Sequence, residues 1–244
     1  MTDSTGSGDV AAFFDVDETL LACKSMLRFL EFFLKSQGEP TATYQRLTRE
    51  LASRVHAGVP REKVNRAYYR LFADESAERL AELGRTWLAA EANLGGLLLP
   101  EPIADLARHR IGHTPVHLVS GSFFACLDPL AEALGVSGAH GTPVVIRRGR
   151  LTGEVTVPMI GRAKADKVRS LMSASSIPPR HCFAYADHAS DLPMLQLVGH
   201  PVVVGDDPVL TAAAHDRGWR HLRGIPTPTA PAGDSHAPHT HDPR

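Results

Sequence analysis

Cysteine is scarce in this sequence, with three among 244 residues: Cys23, Cys126 and Cys182. An odd number argues against a disulfide framework, and the spacings lack the paired pattern of a structural zinc site. Each cysteine lies among apolar neighbours. The sequence therefore predicts reduced, buried thiols in a cytoplasmic protein.

Long apolar runs and an excess of one charge are also absent. No hydrophobic stretch approaches the length that spans a membrane, and residues 1–9 lack the basic start and apolar centre of a signal peptide. A formal net charge of −1 provides no overall attraction to nucleic acid or to an anionic membrane. We therefore expect neither as a partner, and local cations must bind any anionic substrate.

What the chain does have is a short apolar run that ends in two aspartates. Residues 11–16 have the length and composition of a buried parallel strand, which would place Asp15 and Asp17 at its carboxyl end, where open α/β sheets bind ligands. Because residues i and i+2 of a strand face the same side, the two carboxylates would converge. Mg²⁺ is the natural counter-ion for such a pair. An acidic turn capped by Thr19 explains this motif alone equally well.

Three further motifs follow apolar runs later in the chain. They are SGS, which begins at Ser120; GRAKADKV, which contains Lys164; and ADHASDLPML, which contains Asp187 and Asp191. With the first motif, and in this order, they resemble the haloacid dehalogenase superfamily. The resemblance is to its phosphoserine-phosphatase-like branch, in which a helical cap is inserted after the first motif. It covers residues 12–222.

The resemblance implies an α/β fold: a doubly wound parallel sheet, Rossmann-like, with an inserted all-helical cap domain. Apolar spacing of three and four residues independently predicts four helices between residues 25 and 93, without a strand among them. We expect a core domain at 11–21 and 98–224 and a cap domain at 22–97. Residues 1–10 and 225–244 should be disordered, and the tail's histidines would bind metal only adventitiously: His236, His239 and His241.

Aromatic residues are concentrated in the predicted cap. We interpret them as its hydrophobic core rather than as a cofactor platform, although some would line the substrate pocket. They are Phe29, Phe32, Phe33, Tyr68, Tyr69, Phe72 and Trp87.

The resemblance also implies catalytic and metal-binding roles. Asp15 would be the nucleophile that forms an aspartyl-phosphate, and Asp17 would act first as general acid and then as general base. In this superfamily the second aspartate marks phosphatases and mutases. Mg²⁺ would be held by the Asp15 carboxylate, the Asp17 main-chain carbonyl and Asp187, with Asp191 in direct or water-mediated support.

Two further segments would bind the phosphoryl group. The Ser120 hydroxyl and following backbone N–H groups, including that of Gly121, would bind its oxygens, although a helix cap explains SGS about as well. The family pattern of a glycine followed three residues later by lysine selects Lys164, with Gly161, over Lys167. Lys164 would balance the carboxylates and the developing charge.

The sequence departs from this family at two places that bear on the substrate. Lys24 stands where phosphoserine phosphatases of the family have a glutamate for the substrate ammonium, which argues against phosphoserine. Lys24 would favour hydroxyl or anionic groups, with Arg28, Arg61 and Arg66 as candidate cationic partners, unless it only faces solvent. His188 is unusual in the last motif and is either a solvated loop histidine or a residue that contacts substrate or tunes the pH response of the site.

These inferences favour a Mg²⁺-dependent phosphatase that acts on a small organic phosphomonoester. The alternatives are a receiver-like signalling protein that is phosphorylated on aspartate, a phosphotransferase on the same core, and an inactive binding module. Asp17 and the helical insert count against a receiver. The sequence predicts neither the identity of the phosphomonoester nor the oligomeric state.

Overall fold

The computed structural model describes residues 10–225 of the chain. The predictions for residues 1–9 and for the tail after residue 225, with its three histidines, lie outside this range. Within it, every helix is too short or too polar to cross a membrane.

Eight strands within these residues form a parallel sheet of six and an antiparallel hairpin of two. They are β1 Ala12–Phe14, β2 Val116–Val119, β3 Gly138–His140, β4 Val144–Arg147, β5 Arg150–Val155, β6 Phe183–Ala186, β7 His200–Val204 and β8 Arg220–Leu222. The parallel sheet has the order β3-β2-β1-β6-β7-β8, and β4 pairs with β5. Because the strand order reverses at β1, its carboxyl end is the switch point at which such sheets bind ligands. The predicted doubly wound sheet is confirmed.

The helices of the described residues fall into an insert between β1 and β2 and a set that flanks the sheet. They are α1 Ser25–Ser36, α2 Thr41–His56, α3 Arg61–Tyr69, α4 Ala77–Leu94, α5 Pro100–Ile111, α6 Phe124–Leu134, α7 Arg162–Ala174, α8 Leu192–Leu195 and α9 Pro208–Arg217. The first four match the helices predicted from apolar spacing. The structure extends α3 by a short 3₁₀ turn, Arg70–Phe72.

Each face of the sheet packs into its own hydrophobic cluster. Successive side chains of a strand point to opposite faces, so Phe14 joins Leu118 on one side while Phe13 joins Ala184 on the other. The Phe14 ring stacks on Tyr185 with 3.9 Å between ring centroids. Buried on both faces, β1 is a fixed base for the loop that follows it.

A third cluster joins the inserted helices to the rest of the molecule. It contains the aromatic residues predicted for the cap core, of which Phe32 is partly buried and the others are buried. Phe123 and Ala125 at the start of α6 and Leu151 of β5 belong to the same cluster. The aromatic prediction is confirmed, and the inserted helices share their core with α6 and the hairpin.

Two strands of the sheet were not predicted, and β1 is shorter than expected. β3 and β8 are three-residue edge strands that contain no run of large apolar side chains. The predicted strand 11–16 ends at Phe14 because the main chain turns at Val16, whose carbonyl accepts hydrogen bonds from Leu20 and Leu21 N–H.

Candidate active site

The loop after β1 turns sharply and displays two carboxylates. The Val16 carbonyl accepts N–H bonds from Leu20 and Leu21, each 2.9 Å long. Glu18 has a φ of 61°, a left-handed conformation that is uncommon for residues other than glycine. The turn places Asp15 and Asp17 at the carboxyl edge of the sheet, as the spacing of the motif predicts.

Lys164 lies between two carboxylates from different loops. Its ammonium is 2.8 Å from Asp15 Oδ1 and 2.7 Å from Asp191 Oδ2, and the residue is only 4% exposed. Burial opposes the charged form of Lys164, but attraction to Asp15 and Asp191 outweighs burial and raises its pKa above the ordinary lysine value. Lys164, rather than Lys167, therefore places a permanent positive charge beside Asp15.

Negative charge nevertheless predominates at this edge. Burial raises the pKa of Asp15 to about 6, with Lys164 opposing the shift and Asp187 adding to it. Burial likewise raises the pKa of Asp191 to about 6 against the effect of Lys164. Four carboxylates, counting Asp17, surround one ammonium. Oxygen donors with uncompensated negative charge suit a hard divalent cation.

Asp17 is held at the first turn of α1. Its Oδ1 accepts the Ser25 N–H at 2.9 Å, and the Ser25 hydroxyl is bonded to Ser122 Oγ at 3.1 Å. Burial raises the pKa of Asp17, although the Ser25 bonds oppose this. A raised pKa increases the fraction of the protonated form, which is the form that a general acid requires.

Asp187 follows β6 and is tied to the loop after β1. The buried Thr19 hydroxyl donates to Asp187 Oδ1 at 2.8 Å, and burial raises the pKa of Asp187. Within residues 10–225, no three His, Cys, Asp or Glu side chains are grouped so as to hold a metal ion. The predicted set uses the carboxylates of Asp15 and Asp187 and the Asp17 main-chain carbonyl, with Asp191 in direct or water-mediated support, so one of its ligands is not a side chain.

The SGS loop follows β2 at the same edge. Ser120 is buried, its N–H donates to the His140 carbonyl at 3.0 Å, and its Oγ accepts from Ser122 N–H at 3.1 Å. Since Oγ acts as acceptor in that bond, the hydroxyl proton is available to a ligand oxygen.

The Gly121 carbonyl is bonded by three side chains that the sequence analysis did not identify as site residues. It accepts from Asn65 Nδ2 at 3.0 Å, Tyr69 Oη at 2.8 Å and Thr142 Oγ1 at 2.9 Å. Asn65 and Tyr69 are four residues apart on α3 and so share a face. An asparagine on the aromatic face of this helix was the one signal in the sequence for this contact.

Three of the predicted cap cations are bonded to protein groups. Lys24 Nζ is 3.1 Å from Glu18 Oε2, with 52% of the lysine side chain exposed. Arg28 forms a two-pronged ion pair with Glu91, with N–O distances of 3.1 and 2.8 Å. The Arg66 guanidinium donates to the main-chain carbonyls of Val155, at the end of β5, and of residue 156, the latter at 2.9 Å.

Arg61 and His188 come from different segments of the chain and interact electrostatically. Arg61 is exposed at the start of α3, and His188 is half-buried after β6 with Nδ1 accepting the Ser190 N–H at 3.0 Å. Burial lowers the pKa of His188, and the charges of Arg61 and Lys24 lower it further. The structure thus brings both Lys24 and Arg61 within electrostatic reach of His188.

Comparison with known proteins gives concordant results. The model of the haloacid dehalogenase-like hydrolase family matches residues 12–196. A probable phosphatase of Mycobacterium tuberculosis is 30% identical over 246 residues, which cover 91% of this chain and 81% of that protein. A phosphoserine phosphatase of the same organism is 30% identical over 86% of this chain and 69% of its own length. A solved structure from Bordetella pertussis, of unknown function, has a TM-score of 0.78 at 23% identity, covering 87% of this chain and 97% of that one.

Proposed function

Because this chain belongs to the haloacid dehalogenase-like hydrolases and is a phosphatase of that family, we propose that it hydrolyses a small organic phosphomonoester through an aspartyl-phosphate on Asp15. The observation that carries this proposal is the buried Lys164 bridge between Asp15 and Asp191 beside Asp17. It combines a nucleophile, a fixed positive charge and a proton donor at the switch point of the sheet.

In the first step, an Asp15 carboxylate oxygen attacks phosphorus. Oδ1 carries the bonds to Val16 N–H, at 2.7 Å, and to Lys164, so Oδ2 is the attacking atom. A bond forms between Oδ2 and phosphorus as the bond to the ester oxygen breaks, and protonated Asp17 gives its proton to the leaving alkoxide.

In the second step, Asp17 takes a proton from water as that water attacks phosphorus. The bond between phosphorus and Asp15 breaks, inorganic phosphate leaves, and Asp15 returns to a carboxylate. The Ser120 hydroxyl, the Gly121 N–H and Lys164 stabilise the phosphoryl oxygens in both steps.

The proposed cofactor is Mg²⁺. The Asp15 and Asp187 carboxylates and the Asp17 main-chain carbonyl would hold it, consistent with the excess of buried negative charge around them. When bound, it supplies charge neutralisation that allows an anionic phosphate to approach an anionic nucleophile. We assign Asp191 to the indirect role of positioning Lys164, because Asp191 Oδ2 is bonded to that ammonium.

We propose that residues 22–97 act as the cap over this site and recognise the organic part of the substrate. Lys24 and Arg61, whose charges both act on His188, would favour hydroxyl or anionic groups over an ammonium group. Three relatives are named phosphoserine phosphatases. Because Lys24 would disfavour an ammonium group, we expect the substrate of this chain to be a small phosphomonoester other than phosphoserine.

Hydrolysis of p-nitrophenyl phosphate tests the proposal. With Mg²⁺, the full chain should release phosphate in large excess over enzyme; EDTA should stop the reaction, and added Mg²⁺ should restore it. A receiver-like protein would release one equivalent of p-nitrophenol and retain the phosphoryl group on its aspartate, and a binding module would release neither product. Either of these results would overturn the proposed function.

A further inference from the structure

A pair of buried serine hydroxyls lies beside Asp17, the proposed acid. Ser25 is 1% exposed and Ser122 is fully buried, and their Oγ atoms are 3.1 Å apart. Ser25 is the first residue of α1, whereas Ser122 is the last residue of the SGS loop and donates its N–H to Ser120 Oγ at 3.1 Å. The pair therefore joins the first inserted helix to the proposed phosphate site.

Ser25 contacts Asp17 through two donors. Its N–H donates to Asp17 Oδ1 at 2.9 Å. Its hydroxyl acts on the same carboxyl group: burial raises the pKa of Asp17, and hydrogen bonds from the Ser25 hydroxyl and N–H oppose this increase. Because Oδ1 accepts the N–H, the proton of the acid form is carried by Oδ2.

Orientation of Asp17 does not by itself require a serine at position 25. The N–H belongs to the main chain and would be present with any residue except proline. The hydroxyl has a single proton, so it donates either to Ser122 Oγ or to Asp17 but not to both at once. The Cys126 thiol borders both hydroxyls, and because burial raises its pKa it stays uncharged and does not compete with Asp17. The two choices of partner match the two protonation states through which an acid and base must pass.

We propose that Ser25 is a positioning residue whose hydroxyl changes partner as Asp17 changes protonation state. While Asp17 is protonated, Ser25 donates to Ser122 Oγ. As the proton of Asp17 passes to the leaving group, the Ser25 O–H turns to the new carboxylate, and the Ser122 O–H turns to donate to Ser25 Oγ. Each serine keeps its own proton, so the bond between the two hydroxyls is retained with its direction reversed. This inference rests on the proposed phosphatase function and adds to it a group that stabilises the acid after it has given up its proton.

The dependence of rate on the leaving group tests the inference. Phenyl and p-nitrophenyl phosphate have leaving groups of similar size, but phenolate is the more basic and gains more from protonation. In single turnovers with Mg²⁺, Ser25→Ala should slow phosphoryl transfer from phenyl phosphate by about tenfold, the effect of one hydrogen bond to a developing charge, and should slow transfer from p-nitrophenyl phosphate much less. Ser25→Thr, which retains the hydroxyl, should recover the wild-type ratio of the two rates. Because the ratio is measured within one preparation, partial unfolding of a variant does not affect it.

Ser36→Ala is the matched control, because it removes a serine hydroxyl from the last residue of the same helix, where Ser36 Oγ donates to the Phe33 carbonyl at 2.7 Å. Both of its rates should equal those of the wild-type protein. Equal losses for the two substrates in Ser25→Ala, or a Ser25→Thr protein that behaves like Ser25→Ala, would show that Ser25 has only a structural role, and the inference would be wrong. If the wild-type protein releases phosphate from neither ester, the proposed function fails, and the inference fails with it.

Discussion

Burial of Asp15 disfavours the ionised carboxylate that the proposed attack on phosphorus requires. The pKa of Asp15 is about 6 in the folded protein, against 3.8 for an unperturbed aspartate. Between these values the unfolded chain has lost the proton while the folded chain still holds it. The folded state without metal therefore loses stability as the pH rises through this window and recovers none above it.

Asp15→Asn should remove this loss. In EDTA the variant and the wild-type protein should have similar free energies of unfolding near pH 4, where the carboxyl is protonated in the folded state. At about pH 7 the variant should be more stable by on the order of 1–3 kcal/mol. Urea unfolding at several pH values measures the difference. A difference that does not change with pH would contradict the assigned cause.

The loss of rate caused by replacing Asp17 should depend on the leaving group of the substrate. Asp17→Asn cannot protonate an alkoxide, so phosphoryl transfer from an alkyl phosphate should fall by roughly 10²- to 10⁴-fold. p-Nitrophenolate leaves without a proton, and its transfer should fall much less. Single-turnover measurement isolates this step from the hydrolysis of the aspartyl-phosphate. Equal losses for the two substrates would show that Asp17 is not the acid.

At the scale of elements, α4 and α6 cross with almost no space between them. A Cβ on Gly84 would lie 1.8 Å from the Ala125 carbonyl oxygen. Since α6 begins two residues after the SGS loop, this contact ties an inserted helix to the proposed phosphate site.

Gly84→Ala should therefore be strongly destabilising. The backbone of α6 must move, at a cost of about 3 kcal/mol or more in the free energy of unfolding. Gly112→Ala at the end of α5 is the control, because its Cβ would meet its nearest atom, the Arg108 carbonyl oxygen, at 3.4 Å. Urea denaturation should show little change in the free energy of unfolding of Gly112→Ala. Equal stability of the two variants would mean that the crossing tolerates a wider separation.

The helices and strands differ in how well they could be predicted from the sequence. The four inserted helices have clear apolar periodicity; they were expected between residues 25 and 93 and lie between residues 25 and 94. β3 and β8 were missed because short edge strands need few apolar side chains. β1 was predicted too long because the turn at Val16 depends on contacts made by residues four and five positions later.

For the candidate site, motif order was informative because the carboxyl ends of parallel strands share one edge. It placed Asp15 and Asp191 at one edge, and the family resemblance added Lys164, which the structure shows in contact with both. The bonds of Asn65 and Tyr69 to Gly121 could not be foreseen, since they depend on the rotation of α3 against a loop more than fifty residues away. The spacing of apolar residues along α3 does not by itself specify that rotation.

At the scale of the whole molecule, the near-neutral net charge conceals a strongly uneven distribution. The chain carries a formal charge of −1, while the site gathers four carboxylates around one buried ammonium. A phosphate ester is an anion, and this site repels it until a cation is bound. Activity should therefore depend on Mg²⁺ and on the nucleophile that Mg²⁺ would neutralise.

The most direct test compares phosphate release by the wild-type and Asp15→Asn proteins over many turnovers, with and without Mg²⁺. The wild-type protein should turn over p-nitrophenyl phosphate only with Mg²⁺, and the folded variant should be slower by about a thousandfold or more. Turnover by Asp15→Asn at a rate comparable to the wild-type rate would contradict the account, as would wild-type turnover that persists in EDTA.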